Sequence, residues 1–272
     1  MTTDLFSLQG QVAVVTGGCG LLGQHFSVAM AERGCRVVSL DIIGQPGKSL
    51  DAWTKLRAEE KIWTIEGDIT NRADVERALA TIQSRWGTPT ILVNNAAIDA
   101  PPNAPASENG PFETYPESSL DKSLAVNIKG TWFCCQVFGG AMAAAKKGSI
   151  INIASTYGLG SPIQDIYEYK RTGGETWFKP ATYATTKSAV LNLTRYLATY
   201  WAKQGVRVNT LTPAGIFNSQ DERFLTEYTK RVPMGRMAEP QEMNGALVFL
   251  ASPAASYVTG SNLVVDGGWT AW

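Results

Sequence analysis

Tyr183-Ala-Thr-Thr-Lys187 places a phenol and an ammonium four residues apart, near the start of a helix predicted from Ala184 to about Gln204. Residues at that spacing share a helical face, so both groups can point into one cleft. A free phenol has a pKa of about 10, and bringing it near 7 takes about 4 kcal/mol of preferential stabilisation of the phenolate. One lysine charge about 4 Å away, at an effective dielectric constant of about 20, supplies interaction energy of that order. The pair is therefore expected to lower the phenol's pKa and to give a proton donor and acceptor at neutral pH. Tyrosine and lysine also meet at this spacing by chance, as a solvated contact. The surroundings favour chemistry: of nine tyrosines only Tyr183 has a lysine four residues on, a strand ending in Ser155 precedes it, and a glycine-rich loop opens the chain.

The elements that must position these groups alternate. Gln11–Thr16 reads as an apolar strand running into Gly17-Gly-Cys-Gly-Leu-Leu-Gly23 and a helix to about Arg33. Gly18-x-Gly20-x-x-Gly23 puts glycines where a tight turn, a close pyrophosphate and helix-on-strand packing need a missing Cβ. A second strand, Cys35–Leu40, ends in Asp41, about where an acid grips ribose hydroxyls. A carboxylate there would repel the 2′-phosphate of NADP, and neither the glycine loop nor Ile42 and Ile43 offers a compensating base, so NAD is the expected cofactor. A helix over Leu50–Arg57, a strand at Ile62–Glu66 followed by Asp68 and Ile69, a helix from Asn71 to Trp86 and a strand Thr90–Asn95 before Ala96 and Ala97 continue the pattern. Such alternation predicts a parallel sheet with helices on both faces, binding ligands beyond the strands' carboxyl ends. Asp68, Asn94 and Asn95 thereby become candidates for the cofactor rim.

Pro101–Pro111 reads as a loop, and a long helix follows from Ser118 to Ala145. Asn127 lies in its middle, where asparagine either faces water or hydrogen-bonds something. Gly148–Ser155 is the next strand, with Ser155 at its ligand end. Val206–Pro213 is a sixth, leading into a flexible segment with Gly215 and Ile216. A mixed polar stretch to Met237, a helix over Glu239–Ala251 and a strand Asn262–Val265 before Asp266-Gly-Gly268 complete one domain. The 24 basic and 24 acidic residues leave no electrostatic footprint for nucleic acid or an anionic membrane. Apolar runs fall short of the ~20 residues of a bilayer span, and no leader pattern opens the chain, so a soluble cytoplasmic protein is expected. Cys19, Cys35, Cys134 and Cys135 lack ligand spacing, and the lone His25 sits in the first helix. Neither a metal site, a disulfide framework nor a Ser-His-Asp hydrolase is expected.

Jointly, these residues resemble the short-chain dehydrogenase/reductase family from Gln11 to Gly268. The resemblance rests on Thr16–Gly23, Asp41, Asp68, Asn94-Asn-Ala96, Asn127, Ser155, Tyr183 with Lys187, Pro213 with Gly215, and Asp266-Gly-Gly268. It implies a single-domain Rossmann-type α/β fold. Tyr183 would be the general acid/base, Lys187 would lower its pKa and bind the nicotinamide ribose, Ser155 would hold the reacting oxygen, and Asn127 would anchor a relay water. It further implies cofactor contacts at Gly17, Gly20, Leu21, Leu22, Gly23, Asp41, Asp68, Ile69, Asn95, Ala96, Ala97, Pro213, Gly215 and Ile216, the last through its backbone. A homotetramer or homodimer through the long helices and the C-terminal strand is implied as well.

The chain departs from the family's shorter branch in having Leu21 where glycine is usual, and in reading Pro213-Ala214-Gly215 with Asn218 after the sixth strand. The largest departure is 156–182, longer than the family places between its serine and tyrosine. It holds Tyr157, Gln164, Asp165, Tyr167, Glu168, Tyr169, Lys170, Arg171, Glu175, Trp177 and Lys179. Entering at Ser155 and leaving at Tyr183, it must border the substrate cleft, and Tyr157, Tyr167, Lys170, Arg171 and Trp177 are the candidate substrate contacts. It is too polar for a steroid or long acyl chain, and a polar insertion could equally serve subunit contacts. Together with the glycine variant it resembles the branch of flagellin-modification and acylneuraminate-type sugar pathways. The expected activity is NAD-dependent interconversion of a secondary alcohol and a ketone on a sugar-like substrate. An NAD-retaining sugar epimerase or dehydratase, and a non-enzymatic dinucleotide sensor, are the alternatives.

Overall fold

The computed structural model describes residues 4–99, 106–172 and 176–272. Glu175 and the stretch 101–105 of the predicted loop lie outside the described residues. Seven strands form one sheet in the order β3-β2-β1-β4-β5-β6-β7, every neighbouring pair parallel. The strands are β1 Val12–Thr16, β2 Arg36–Asp41, β3 Ile62–Glu66, β4 Ile91–Asn94, β5 Gly148–Ile153, β6 Val206–Pro213 and β7 Asn262–Val265. The order reverses between β1 and β4, opening a crevice at their carboxyl ends, which is where open α/β sheets bind ligands.

Both faces of the sheet are covered, which is why the central strands read as unbroken apolar runs. On one face, Ala13, Val15, Val37 and Ile151 pack with Phe26 and Met30 of α1 (Leu21–Glu32), Trp53 of α2 (Asp51–Ala58) and Leu247 of α10 (Asn244–Ala251). On the other, Val14, Val38, Leu92 and Ile150 meet Ile82 of α3 (Arg72–Trp86), Phe138, Met142 and Trp201. Phe138 and Met142 belong to the long helix expected over 118–145. It is built from α4 (Glu117–Leu124), α5 (Thr131–Cys134) and α6 (Gly140–Ala144), joined end to end by wider π-helical turns at Ala125–Gly130 and Cys135–Gly139. Trp201 closes α8 (Ala181–Trp201), which starts one turn's breadth earlier than expected and takes Tyr183 into its first turn.

Two segments depart from the sequence reading. The polar stretch before Met237 contains a helix, α9 (Glu222–Thr229), capped by the Asp221 carboxylate on the Arg223 N–H at 2.8 Å. The insertion carries α7 (Glu168–Thr172) after short 3₁₀ turns. The two meet in a third apolar cluster, with Ile166, Tyr167 and Trp177 against Phe224, Tyr228 and Met237. Among the described residues no helix is long and apolar enough to cross a membrane, and all four cysteines are free and buried.

Candidate active site

The glycine loop leaves β1 with Gly17 at φ +61°, a conformation that strains any residue with a Cβ. A Cβ at Gly23 would lie 2.1 Å from the Gly17 carbonyl, so helix α1 can press on the loop only with glycine there. Gly20 caps α1 with no side-chain bond, and the first turn, opening with Leu21 and Leu22, holds no acidic residue. Its amide N–H groups therefore form a terminus suited to an anion. Thr16 ties the loop to the end of β4: its hydroxyl accepts the N–H groups of Asn95 and Ala96, each at 3.0 Å, while the Asn95 amide donates to the Thr16 and Gly17 carbonyls.

At the end of β2 the Asp41 carboxylate accepts the Cys19 N–H at 3.0 Å and the Ile43 N–H at 3.3 Å, fixing it against the glycine loop. Burial and then the Asp41 charge push the Cys19 thiol up to about 11, and the Arg57 guanidinium pulls it down. The sequence reading found no base in the loop itself or at Ile42 and Ile43; Arg57, in α2, is within electrostatic reach of Cys19. Beyond β3, Asp68 is exposed and caps the turn by accepting the Thr70 N–H at 2.8 Å. Ile69 turns its side chain into the core and does not line the cavity described below.

At the sheet edge one expectation needs correcting and one open alternative is decided. Asn94 does not belong to the rim: its amide donates to Asn152 at 2.8 Å and to the Cys135 sulfur, inside a buried network. Asn127 does not face water. It sits in the first π-helical turn, accepts the Ile98 N–H at 2.8 Å, and donates to the Ile98 carbonyl at 2.9 Å and the Thr186 hydroxyl at 3.0 Å. Its side chain therefore fastens the loop after β4 to helix α8.

A cavity of about 950 Å³ opens over the carboxyl ends of the strands. Leu22, Asn95, Ala97, Pro213, Gly215 and Ile216 line one part of it, and Ser155, Tyr183 and Lys187 another. Tyr157, Tyr167, Lys170 and Trp177 of the insertion line the far wall together with Phe224 and Tyr228 of α9. The wall is a run of ring contacts, Trp177 tilted 4.3 Å from Tyr167, Tyr167 tilted 5.6 Å from Phe224, and Phe224 stacked 5.3 Å from Tyr228. Lys170 lays its ammonium 4.5 Å from the centre of the Trp177 ring. The Tyr228 hydroxyl accepts the Gly215 N–H at 2.7 Å, coupling this wall to the loop after β6. The Ile216 carbonyl accepts from the Gln220 amide at 2.8 Å.

Arg171 is not on the cavity wall. Its guanidinium donates to the carbonyls of Trp177 and Gln164 and to the Glu168 carboxylate, so it fastens the insertion to itself. What the sequence reading missed is Lys179 with Asp99. They form an ion pair in the cavity, and the Lys179 Nζ lies 5.6 Å from the centre of the Tyr183 ring. The signal was available in part, because Lys179 precedes Tyr183 by the same four residues by which Lys187 follows it.

The electrostatics reverse one expectation. Lys187 is buried, its Nζ donates to the Ile153 carbonyl at 2.7 Å and lies 5.7 Å from the Tyr183 ring centre. Burial pushes its pKa down to about 8. The Tyr183 phenol is not lowered: burial first, then the Asp99 charge, push it well above its ordinary value, and Ser155 alone pulls it back. A desolvated phenolate costs more here than the expected pairing recovers. In the chain by itself, burial and the Asp99 charge therefore disfavour the phenolate.

A family model described as enoyl-(acyl carrier protein) reductase matches residues 21–270. The chain is 32% identical over 280 residues to the 2-dehydro-3-deoxy-D-gluconate 5-dehydrogenase of Dickeya dadantii, covering 100% of both chains. Its fold superposes with a TM-score of 0.85 on a short-chain dehydrogenase from Leptospira borgpetersenii solved with bound NAD+, at 30% identity over 99% of this chain and 96% of that one. A gluconate 5-dehydrogenase from Burkholderia cenocepacia, in complex with NADP and tartrate, superposes with a TM-score of 0.84 at 29% identity, covering 99% of this chain and 98% of the other. With these matches spanning nearly its whole length, the chain belongs to the short-chain dehydrogenase/reductase family.

Proposed function

We propose that this protein is an NAD-dependent oxidoreductase that interconverts a secondary alcohol and a ketone on a polar, sugar-like substrate. The observation that carries the reading is that Ser155, Tyr183 and Lys187 share one cavity with the loop residues Leu22, Asn95 and Ile216. The uncapped α1 terminus fits a pyrophosphate, and Asp41, held beside that loop, has lone pairs left for ribose hydroxyls. A bound nicotinamide would accept or return the hydride. NAD is favoured over NADP because the Asp41 carboxylate is bonded to the glycine loop itself, whereas Arg57 acts from α2.

Within the chain, Tyr183 takes or gives the proton of the reacting oxygen, and Ser155 fixes that oxygen by hydrogen bonding. Lys187 spends one of its three N–H donors on Ile153 and has two left for the nicotinamide ribose. Asn127 holds the loop after β4 at its distance from α8, and it is the relay-water anchor in this reading, with its backbone carbonyl already accepting the Thr131 hydroxyl at 3.0 Å. Trp177, Tyr167 and Lys170 offer ring faces and a cation to a hydroxylated substrate. The sugar-acid dehydrogenases among the relatives favour the same substrate class. The exposed Trp132 on α5, and Tyr196 stacked on Tyr200 of α8 at 5.9 Å, fit self-association through the long helices. The test is NADH formation from a panel of aldonic acids, polyols and nucleotide-linked or acylated sugars. Turnover of at least one polyhydroxylated substrate is expected; turnover confined to apolar alcohols would overturn the substrate class.

A further inference from the structure

Lys179 and Lys187 flank Tyr183 at four residues on either side, and their Nζ atoms lie 5.6 Å and 5.7 Å from the centre of its ring. The position of Lys179 is an unfavourable one to build. It precedes Pro180, the cap of α8, so its ammonium stands at the helix end whose free N–H groups favour anions. Its side chain is only 11% exposed. Two attachments hold it there. Gln164 clamps its backbone, accepting the Lys179 N–H at 2.9 Å and donating to the Lys179 carbonyl at 3.0 Å. Asp99, in the loop after β4, pairs with its ammonium. The pair thereby joins the cofactor side of the cavity to the substrate side across the face of Tyr183.

We propose that Lys179 and Asp99 form a tuning pair for the phenol: the Lys179 ammonium favours the phenolate, and Asp99 holds that ammonium in place while offsetting its charge. The proposal rests on Tyr183 being the acid/base of the reaction. The other groups facing the phenol are Lys187 on its own helix, Ser155 after β5 and Tyr157 in the turn beyond it, with Tyr167 of the insertion behind Tyr157. Among the described residues, Asp99 is the anion that acts on the phenol, opposing ionisation of Tyr183 more strongly than any influence but burial.

The signs of the three variants follow. Lys179→Met removes a cation and leaves Asp99 unbalanced, so the phenol gives up its proton less readily. Asp99→Asn removes the anion and has the opposite effect. The double variant restores the balance. A unit charge at this range, at an effective dielectric constant of about 20 and with partial solvent screening, moves an ionisation by on the order of one pH unit. The test is the pH profile of kcat/KM for NAD-dependent alcohol oxidation, whose acid limb requires the phenolate. The limb should move up by about one pH unit in Lys179→Met, down by about as much in Asp99→Asn, and lie near wild type in the double variant and in Lys179→Arg. Limbs that stay in place while melting temperatures fall would make the pair a plain fastener and overturn the proposal. So would single variants moving in the same direction. A second measurement needs no substrate: titration of phenolate absorbance, with the Tyr183→Phe form of each variant subtracted, should bring Tyr183 ionisation to lower pH in Asp99→Asn than in wild type. An unmoved titration overturns the tuning pair even where wild type oxidises alcohols. A moved titration in a protein that turns over no substrate would sustain the pair and overturn the functional reading instead.

Discussion

Replacing Lys187 with methionine isolates the cost of burying an ammonium under the active-site cavity. The methionine keeps most of the stem's volume, and the charge disappears. In wild type, burial lowers this ammonium from 10.5 to about 8, with Asp99 pulling it back up. Between those values the unfolded chain binds a proton that the native protein has released. Stability therefore rises with pH across the window, and below it the native state carries the full cost of the buried charge. Integrating from about pH 7 to about pH 10 gives a gain of roughly 2–3 kcal/mol for wild type that the variant cannot show. Urea unfolding of both proteins at the two pH values measures the gap, and groups common to both cancel. The wild type should gain roughly 2–3 kcal/mol on the variant as pH rises. A gap that is the same at both values would mean that the ammonium is not desolvated as described, and the account of Lys187 would fail.

Three further outcomes are expected. Asp41→Ala combined with Ile42→Arg should narrow or reverse the preference for NAD over NADP in kcat/KM, since the extra phosphate then meets a cation; equal use of both cofactors by wild type would contradict the role of Asp41. Trp177→Ala should raise substrate KM by roughly tenfold or more through loss of stacking area, with NAD affinity unchanged, whereas Arg171→Ala should lower the melting temperature because its guanidinium holds three partners in the insertion; measuring both effects in both variants separates wall from fastener. Gly23→Ala should fail to fold or lose more than ~3 kcal/mol in denaturant unfolding, given the 2.1 Å approach to the Gly17 carbonyl; a stable, active variant would refute the packing argument.

The sheet was legible because strands buried on both faces leave apolar runs that end in turn-forming residues, as in Val12–Thr16 before Gly17 and Ile91–Asn94 before Asn95. Local spacing likewise carried the glycine loop and the Tyr183–Lys187 pair. Less legible was which side a strand-end side chain takes. Asn94 and Asn95 are neighbours, yet one enters the core network and the other braces the loop, and only the register with β5 decides that. Arg171 and Lys170 are adjacent on α7, and the short helix turns only Lys170 to the cavity. Helix α9 was hidden because its apolar side, Phe224, Leu225 and Tyr228, is narrow and finds its partners in the insertion. The pairing of Asp99 with Lys179 spans 80 residues and has no local signature. The direction of the Tyr183 shift was misjudged for the same reason: a Coulomb estimate from spacing omits burial, which depends on everything packed around the ring.

The central claim is that Tyr183 performs the proton transfer of an NAD-linked oxidation in this cavity. Its most direct test is steady-state kinetics of wild type and Tyr183→Phe on a substrate found by the sugar panel, with NAD affinity measured separately by fluorescence. The account predicts that the variant loses at least ~100-fold in kcat while NAD affinity stays within a few-fold, because the phenol acts in the transition state. Wild-type turnover in Tyr183→Phe would contradict it.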